Sequence, residues 1–303
     1  KQGDLNMNQV TTIDTNNFAV MAQAMGMNAE KSQNTSKAST LARLRIHHTP
    51  IMGQQEIKGK MKNVEVISGG AYKLDIPDGP TYYAEGATIR PFLQRFMYKK
   101  FIKGNDNTAN RFLKTVMAND LNNDMKDNEG GFNCGKPAGF IKDWAALPDH
   151  MKDLIKSIKR VRALFGTVEL INPTDENGNA VEIDTTAFIW EIDNRDAFKT
   201  LGDQFTKLSK MQRLPPQHDI SCTTREVPLP NGSSFYVPET ELNLGTTLTM
   251  DNNTQEVFAN FMAWIENYNT YILNSWDENM HKNEDVDTDT VEEFVDINEE
   301  DFV

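Results

Sequence analysis

Between residues 277 and 303 the chain carries twelve acids and a single base, Lys282, for a net charge of −11. Like charges at that density repel one another and stay hydrated, so this stretch is expected to be a solvated tail outside any core. Residues 1–40 are set apart in another way, by a composition of Asn, Gln, Thr, Ser and Met. Only 18–26 (FAVMAQAMG) could make a short helix there. The rest cannot bury enough apolar area to offset the entropy of ordering, so this arm is expected to be flexible, or ordered only against a partner. The part able to fold around a core is 41–276.

The whole chain carries −13, so the residues ahead of the acidic tail carry only −2, the difference between −13 and −11. Within them, 41–116 holds thirteen Lys and Arg against six acids, a surplus of +7. A basic working surface and an acidic interaction tail fit that asymmetry. No run of about 18 apolar residues occurs, so no membrane span is expected. No basic-then-apolar leader opens the sequence, and Cys134 and Cys222 make no disulfide framework. A cytoplasmic protein is expected, in the host cytoplasm if the source is viral.

Along the folded part, Leu41-Ala-Arg-Leu-Arg-Ile46 has the mixture of a half-buried strand. Val64 to Ile67 and Ala71 to Ile76 read as strand, turn and strand around Ser68-Gly-Gly70. Residues 81–83 and 87–90 supply further strand material. Residues 89–102 (IRPFLQRFMYKKFI) fit either a strand, with Arg90, Phe92, Phe96, Tyr98 and Lys100 on one face, or a helix opened by Pro91. Their aromatic density favours the strand. Apolar spacing predicts an amphipathic helix over 107–121, and a second helix over 148–158. Residues 160–171 and 186–192 make the strongest hairpin, around the turn at 172–179. A helix over 195–208, a hairpin spanning 219–237 and a long amphipathic helix over 255–276 follow. The expected class is α+β: an antiparallel β core, forming an OB-like barrel, with a helical insertion at about 107–158 and a C-terminal helix.

Motifs for chemistry are weak. Gly130-Gly-Phe-Asn-Cys-Gly-Lys-Pro137 comes within one residue of a phosphate-binding loop, but Pro137 stands where a hydroxyl should hold Mg²⁺. The histidines and cysteines lack zinc-finger spacing. Asp285-Val-Asp-Thr-Asp289 begins like a calcium loop, yet Thr290 occupies the position that needs glycine. No serine or cysteine sits in an activating context. No metal, no cofactor and no catalytic residue is assigned, and an enzyme is not expected.

The positive signal is the interleaving of rings and charges between residues 43 and 103. Proteins that hold single strands unspecifically combine a cationic groove with aromatic rings on which bases stack. Tyr72 and Phe101 belong to this ring-rich stretch. The candidate nucleic-acid-binding residues within it are Arg43, Arg45, Lys60, Lys62, Tyr82, Tyr83, Arg90, Phe92, Arg95, Phe96, Tyr98, Lys99 and Lys100. In the tail, Phe294, Asp301 and Phe302 are candidate partner-binding residues, because an acidic segment tipped by an aromatic suits a basic-rimmed apolar pocket.

A β-rich core with basic and aromatic strands, followed by an acidic tail with a near-terminal Phe, resembles the phage-type single-stranded DNA-binding proteins of the OB fold, in the T7-like organisation. That resemblance implies a barrel that binds and protects single-stranded DNA during replication, recombination or repair. It also implies a tail that recruits replication or recombination proteins, with Phe302 as its docking residue. The sequence leaves a homo-oligomer open and does not decide the oligomeric state. The zinc site of the T4-like relatives has no counterpart in this sequence. Two other classes compete: a phage structural or scaffold-like interaction protein, which would bind no oligonucleotide, and a DNA-processing enzyme, which would need clustered carboxylates.

Overall fold

The computed structural model describes residues 41–57, 59–104, 109–137, 141–230 and 232–284. The expected N-terminal arm, and the tail candidates Phe294, Asp301 and Phe302, lie outside them. In chain order the strands are β1 (Ala42–Ile46), β2 (Ile51–Ile57), β3 (Lys60–Ile67), β4 (Tyr72–Asp75), β5 (Thr81–Ala84), β6 (Gly86–Ile102), β7 (Arg111–Lys114), β8 (Ile158–Ile171), β9 (Thr186–Ile192), β10 (Ile220–Pro228) and β11 (Ser234–Leu242). The helices are α1 (Asp149–Ser157), α2 (Arg195–Lys210) and α3 (Asn252–Glu284).

The fold is α+β. Nine strands form one sheet in the order β11-β10-β6-β8-β9-β1-β4-β5, with β7 on the far end of β6. The β2–β3 hairpin stands apart as its own two-stranded sheet. Most pairs are antiparallel, but β1 lies parallel to β9, so the sheet is mixed. No closed sheet exists among the described residues. Its two ends nevertheless approach one another: the Tyr72 hydroxyl of β4 donates to the Thr223 carbonyl of β10 at 3.0 Å, and Thr224 Oγ1 donates to the Gly70 carbonyl at 2.8 Å.

Both faces of the sheet are covered. Alternation along the strands sends Leu44, Leu74, Ile89, Leu164, Phe188 and Trp190 to one face, under α2. That helix starts where the Asn194 side chain accepts the backbone N–H groups of Asp196 and Ala197. It buries Ala197, Leu201, Phe205 and Leu208, one stripe at helical spacing. The other face carries Met97, Val161, Ala163, Phe165 and Ile189, under α3. There Asp251 caps the first turn through Thr254, and Phe258, Phe261 and Ile265 are buried. Each such large apolar side chain contributes roughly 1.5–3 kcal/mol by leaving water.

Three expectations need correction. Residues 109–121 contain no helix: they form β7, paired with β6, and an extended segment that bonds Phe96 through Ala118. Their apolar residues do fall at helical intervals, but the open edge of the long strand β6 offers the backbone a ladder instead, and tertiary pairing overrides local spacing. The stretch up to residue 158 is therefore loop and strand, with α1 its one α-helix among the described residues. Third, α3 does not stop at Trp276 but runs on to Glu284, into the acidic stretch.

Candidate nucleic-acid interface

Strand β6 is irregular at Pro91, which cannot donate to a ladder; the register with β8 shifts between Pro91 and Leu93. Pro91 lies opposite Gly166, where a Cβ would collide with the Arg90 carbonyl. The shift defeats simple alternation along 90–100, so the predicted face is divided. Phe92 is 1 % exposed and packs edge-on to Phe261, with ring centroids 5.4 Å apart. Tyr98 is buried beside Leu113 and Cys134. Neither ring is open to a base, which corrects the expectation of a stacking surface made by Phe92, Phe96 and Tyr98 together. Phe96 faces α2 and remains half-buried.

Two predicted cations are also committed inside the protein. Arg90 donates from Nε to the Pro216 carbonyl and from Nη2 to the Thr249 carbonyl, both at 2.7 Å. Arg95 is 6 % exposed, bonds the Gln94 carbonyl and the Met262 sulfur, and has its pKa brought down to about 10 by burial.

The remaining predicted residues fall into three groups. Arg43 and Arg45 are exposed on β1, on the face that carries Ile189 and Phe165. Arg45 lies opposite Lys73 of β4, which lies opposite Tyr83 of β5. Asp75 ties Arg45 at 2.7 Å and Lys73 at 3.3 Å. Tyr83 is buried between His47 and Lys73, while Tyr82 is half-buried at the α2-side core. Lys60 and Lys62 form the second group, exposed on one face of the β2–β3 hairpin.

The third group has the geometry of a binding surface. At the far end of β6, the register puts Lys99 between Lys114 of β7 and Lys159 of β8. The next pair toward the tip on the same face is Phe101 opposite Phe112. These rings are 50 % and 47 % exposed, with centroids 5.2 Å apart. Lys99 Nζ stands 4.6 Å over the Phe112 ring. Glu191 of β9 bonds Lys99 at 2.9 Å and Lys114 at 3.0 Å. Burial pushes the Glu191 carboxyl up, but the two ammonium groups outweigh it and hold it below the ordinary carboxylate range. One carboxylate against two ammoniums leaves the cluster net positive, and exposed Lys159 and Lys103 add to it. Lys100 is half-buried on the opposite face.

Phe112, Lys114 and Lys159 were not legible as site residues while 107–121 read as a helix. The usable signal was a mirror: Lys99-Lys-Phe-Ile102 and Arg111-Phe-Leu-Lys114 flank a Gly-, Asn- and Asp-rich stretch, the composition of a hairpin connection.

Among the described residues no three His, Cys, Asp or Glu side chains are grouped to hold a metal ion. Cys134 and Cys222 are buried, and burial pushes both thiols up to about 12, away from the reactive thiolate. No protein-family model, curated protein or solved structure matches the chain.

Proposed function

We propose that this chain binds single-stranded DNA without sequence preference, protecting it during replication, recombination or repair, and is not an enzyme. The observation that carries the reading is the half-exposed Phe101–Phe112 pair beside the Lys114–Lys99–Lys159 row. Every base has a π-face, so rings of this kind accept any sequence, with stacking worth about 1–3 kcal/mol per base, while lysines neutralise the backbone. Arg43 and Arg45, exposed on the same face of the sheet, add further positive charge. Lys60 and Lys62 offer a further basic face on the separate β2–β3 hairpin.

An OB-like relationship belongs to the same proposal. It is supported by the curl of the sheet, whose ends are bridged by the Tyr72 and Thr224 hydroxyls. The acidic stretch after α3 is proposed both to compete with DNA for this surface and to recruit replication or recombination proteins through Phe294, Asp301 and Phe302.

The test is a titration of fluorescent poly-dT and of duplex DNA, with and without Mg²⁺, followed by electrophoresis of the DNA. Preferential poly-dT binding that weakens with salt and leaves the DNA intact supports the reading. Equal or tighter duplex binding across a salt series removes it, and cleaved DNA points to an enzyme.

A further inference from the structure

On the face opposite the Phe101–Phe112 pair, Arg162 of β8 lies between two phenyl rings. Its guanidinium carbon is 5.0 Å from the centroid of Phe96 and 4.4 Å from that of Phe198. Nη1 donates to Gln94 Oε1. The residue is 7 % exposed. Among the described residues no carboxylate comes within ion-pairing distance of it, and Nε is buried with no hydrogen-bond partner. Asp203 of α2 favours the cation from further off, but is itself bonded to Lys199 at 2.5 Å.

A buried cation without a counterion is costly, and the two cation–π contacts offset only part of that cost. The fold makes specific room for it: a Cβ at Gly202 would stand 2.5 Å from Arg162 Nη2. The guanidinium in turn fixes both rings, each of which is only half-buried. Rings held in this way lose little freedom when a flat ligand stacks on them. Two residues back along β8, on the same face, Arg160 is exposed. On α2, Arg195 and Lys199 share one side of the helix with Phe198 and are exposed too.

We propose that the Phe96–Arg162–Phe198 stack is a second stacking station for a nucleobase, with Arg160 and Arg195 neutralising the neighbouring phosphates. A single strand seated on Phe101 and Phe112 then continues round the end of the β6–β8 pair to the opposite face. This rests on the single-stranded DNA reading above and adds a path and a length to it.

The test is the dependence of affinity on oligonucleotide length. Labelled oligo-dT from about 4 to about 16 nucleotides, the span of single-strand site sizes, is titrated against the full chain and three variants: Phe112→Ala, Phe198→Leu and Arg160→Ala. On the shortest oligonucleotide, only Phe112→Ala is expected to weaken binding. On the longest, Phe198→Leu is expected to weaken it about tenfold as well, and Arg160→Ala to lower the salt dependence. If Phe198→Leu and Arg160→Ala bind every length as the unaltered chain does, the second station is wrong. If Phe198→Leu lowers the melting temperature, Arg160→Ala decides alone, because its side chain is exposed. If the unaltered chain binds no oligo-dT at all, the parent reading falls together with this one. Binding that is insensitive to both variants sinks only the second station.

Discussion

Phe101 and Phe112 stand opposite one another on β6 and β7, with ring centroids 5.2 Å apart and about half of each residue exposed. An apolar pair left open at a strand tip adds little to stability, yet it is what a nucleobase needs. Phe112→Ala is expected to weaken oligo-dT binding by about 1–3 kcal/mol, while the melting temperature changes little. Fluorescence titration and a thermal melt of the same sample check both halves. Unchanged affinity would remove the pair from the interface.

Phe92 is the contrasting case. It is buried against Phe261, which also meets Phe165 at 5.9 Å between centroids. Phe92→Ala is expected to lower stability by about 3–5 kcal/mol through the cavity it leaves. The surviving folded fraction should bind oligo-dT with normal affinity. Denaturant unfolding monitored by circular dichroism, paired with titration well below the midpoint, measures both effects.

Glu191 clamps Lys99 and Lys114 and is held below its ordinary pKa by them. A carboxyl depressed by folding contributes stability that is fully present well above its unfolded value of about 4.3. That contribution is lost as pH falls through the still lower folded value. Glu191→Gln is therefore expected to lower stability at pH 7 by about 1–2 kcal/mol, allowing for the partial exposure of the cluster. It should also flatten this part of the acid limb of a melting-temperature profile. The same variant raises the net positive charge of the cluster by one, so oligo-dT affinity should rise and its salt slope steepen by about 0.7. A variant that loses affinity would show that Glu191 orients the lysines and does not restrain them.

Much of the architecture was legible because burial and hydrogen bonding agree with local pattern. The β8–β9 hairpin, the β10–β11 hairpin, α2 and the start of α3 all follow apolar periodicity and turn residues. What escaped was non-local. The register shift at Pro91 depends on the glycine it meets at 166, a contact between strands far apart in sequence. It puts Phe92 on one face of the sheet and Phe96 and Tyr98 on the other, so the single face that strict alternation along 90–100 predicts does not form. Phe112 was hidden because helical spacing and strand pairing make equal use of the same apolar residues. Only the open edge of β6 decides between them. The β2 strand, with Met52 and Gln54 exposed, carries no alternation strong enough to announce itself.

The acidic stretch gains a position from α3. Near the end of that helix, Asn279 Nδ2 donates to the Asn128 carbonyl at 3.0 Å. The Asn128 side chain accepts the Lys114 backbone N–H at 2.8 Å, and its amide reaches the Phe112 carbonyl at 3.4 Å. The last turns of α3 are thus anchored beside the two residues proposed to hold DNA. From 285 to 303 the chain adds nine acids and no base. Charge tethered so close to a basic patch can reach an effective concentration near millimolar. Deleting 285–303, which leaves α3 and the Asn279 contact intact, is expected to raise oligo-dT affinity several-fold in low salt. The gain should shrink as salt rises, because exposed charges are screened beyond about 8–10 Å at physiological strength. Phe302→Ala keeps the charge and should leave DNA affinity unchanged while weakening capture of a replication partner. If the stretch serves only solubility, truncation leaves the isotherm unaltered at every salt concentration. Comparing the isotherms of the two chains at low and high salt distinguishes these outcomes.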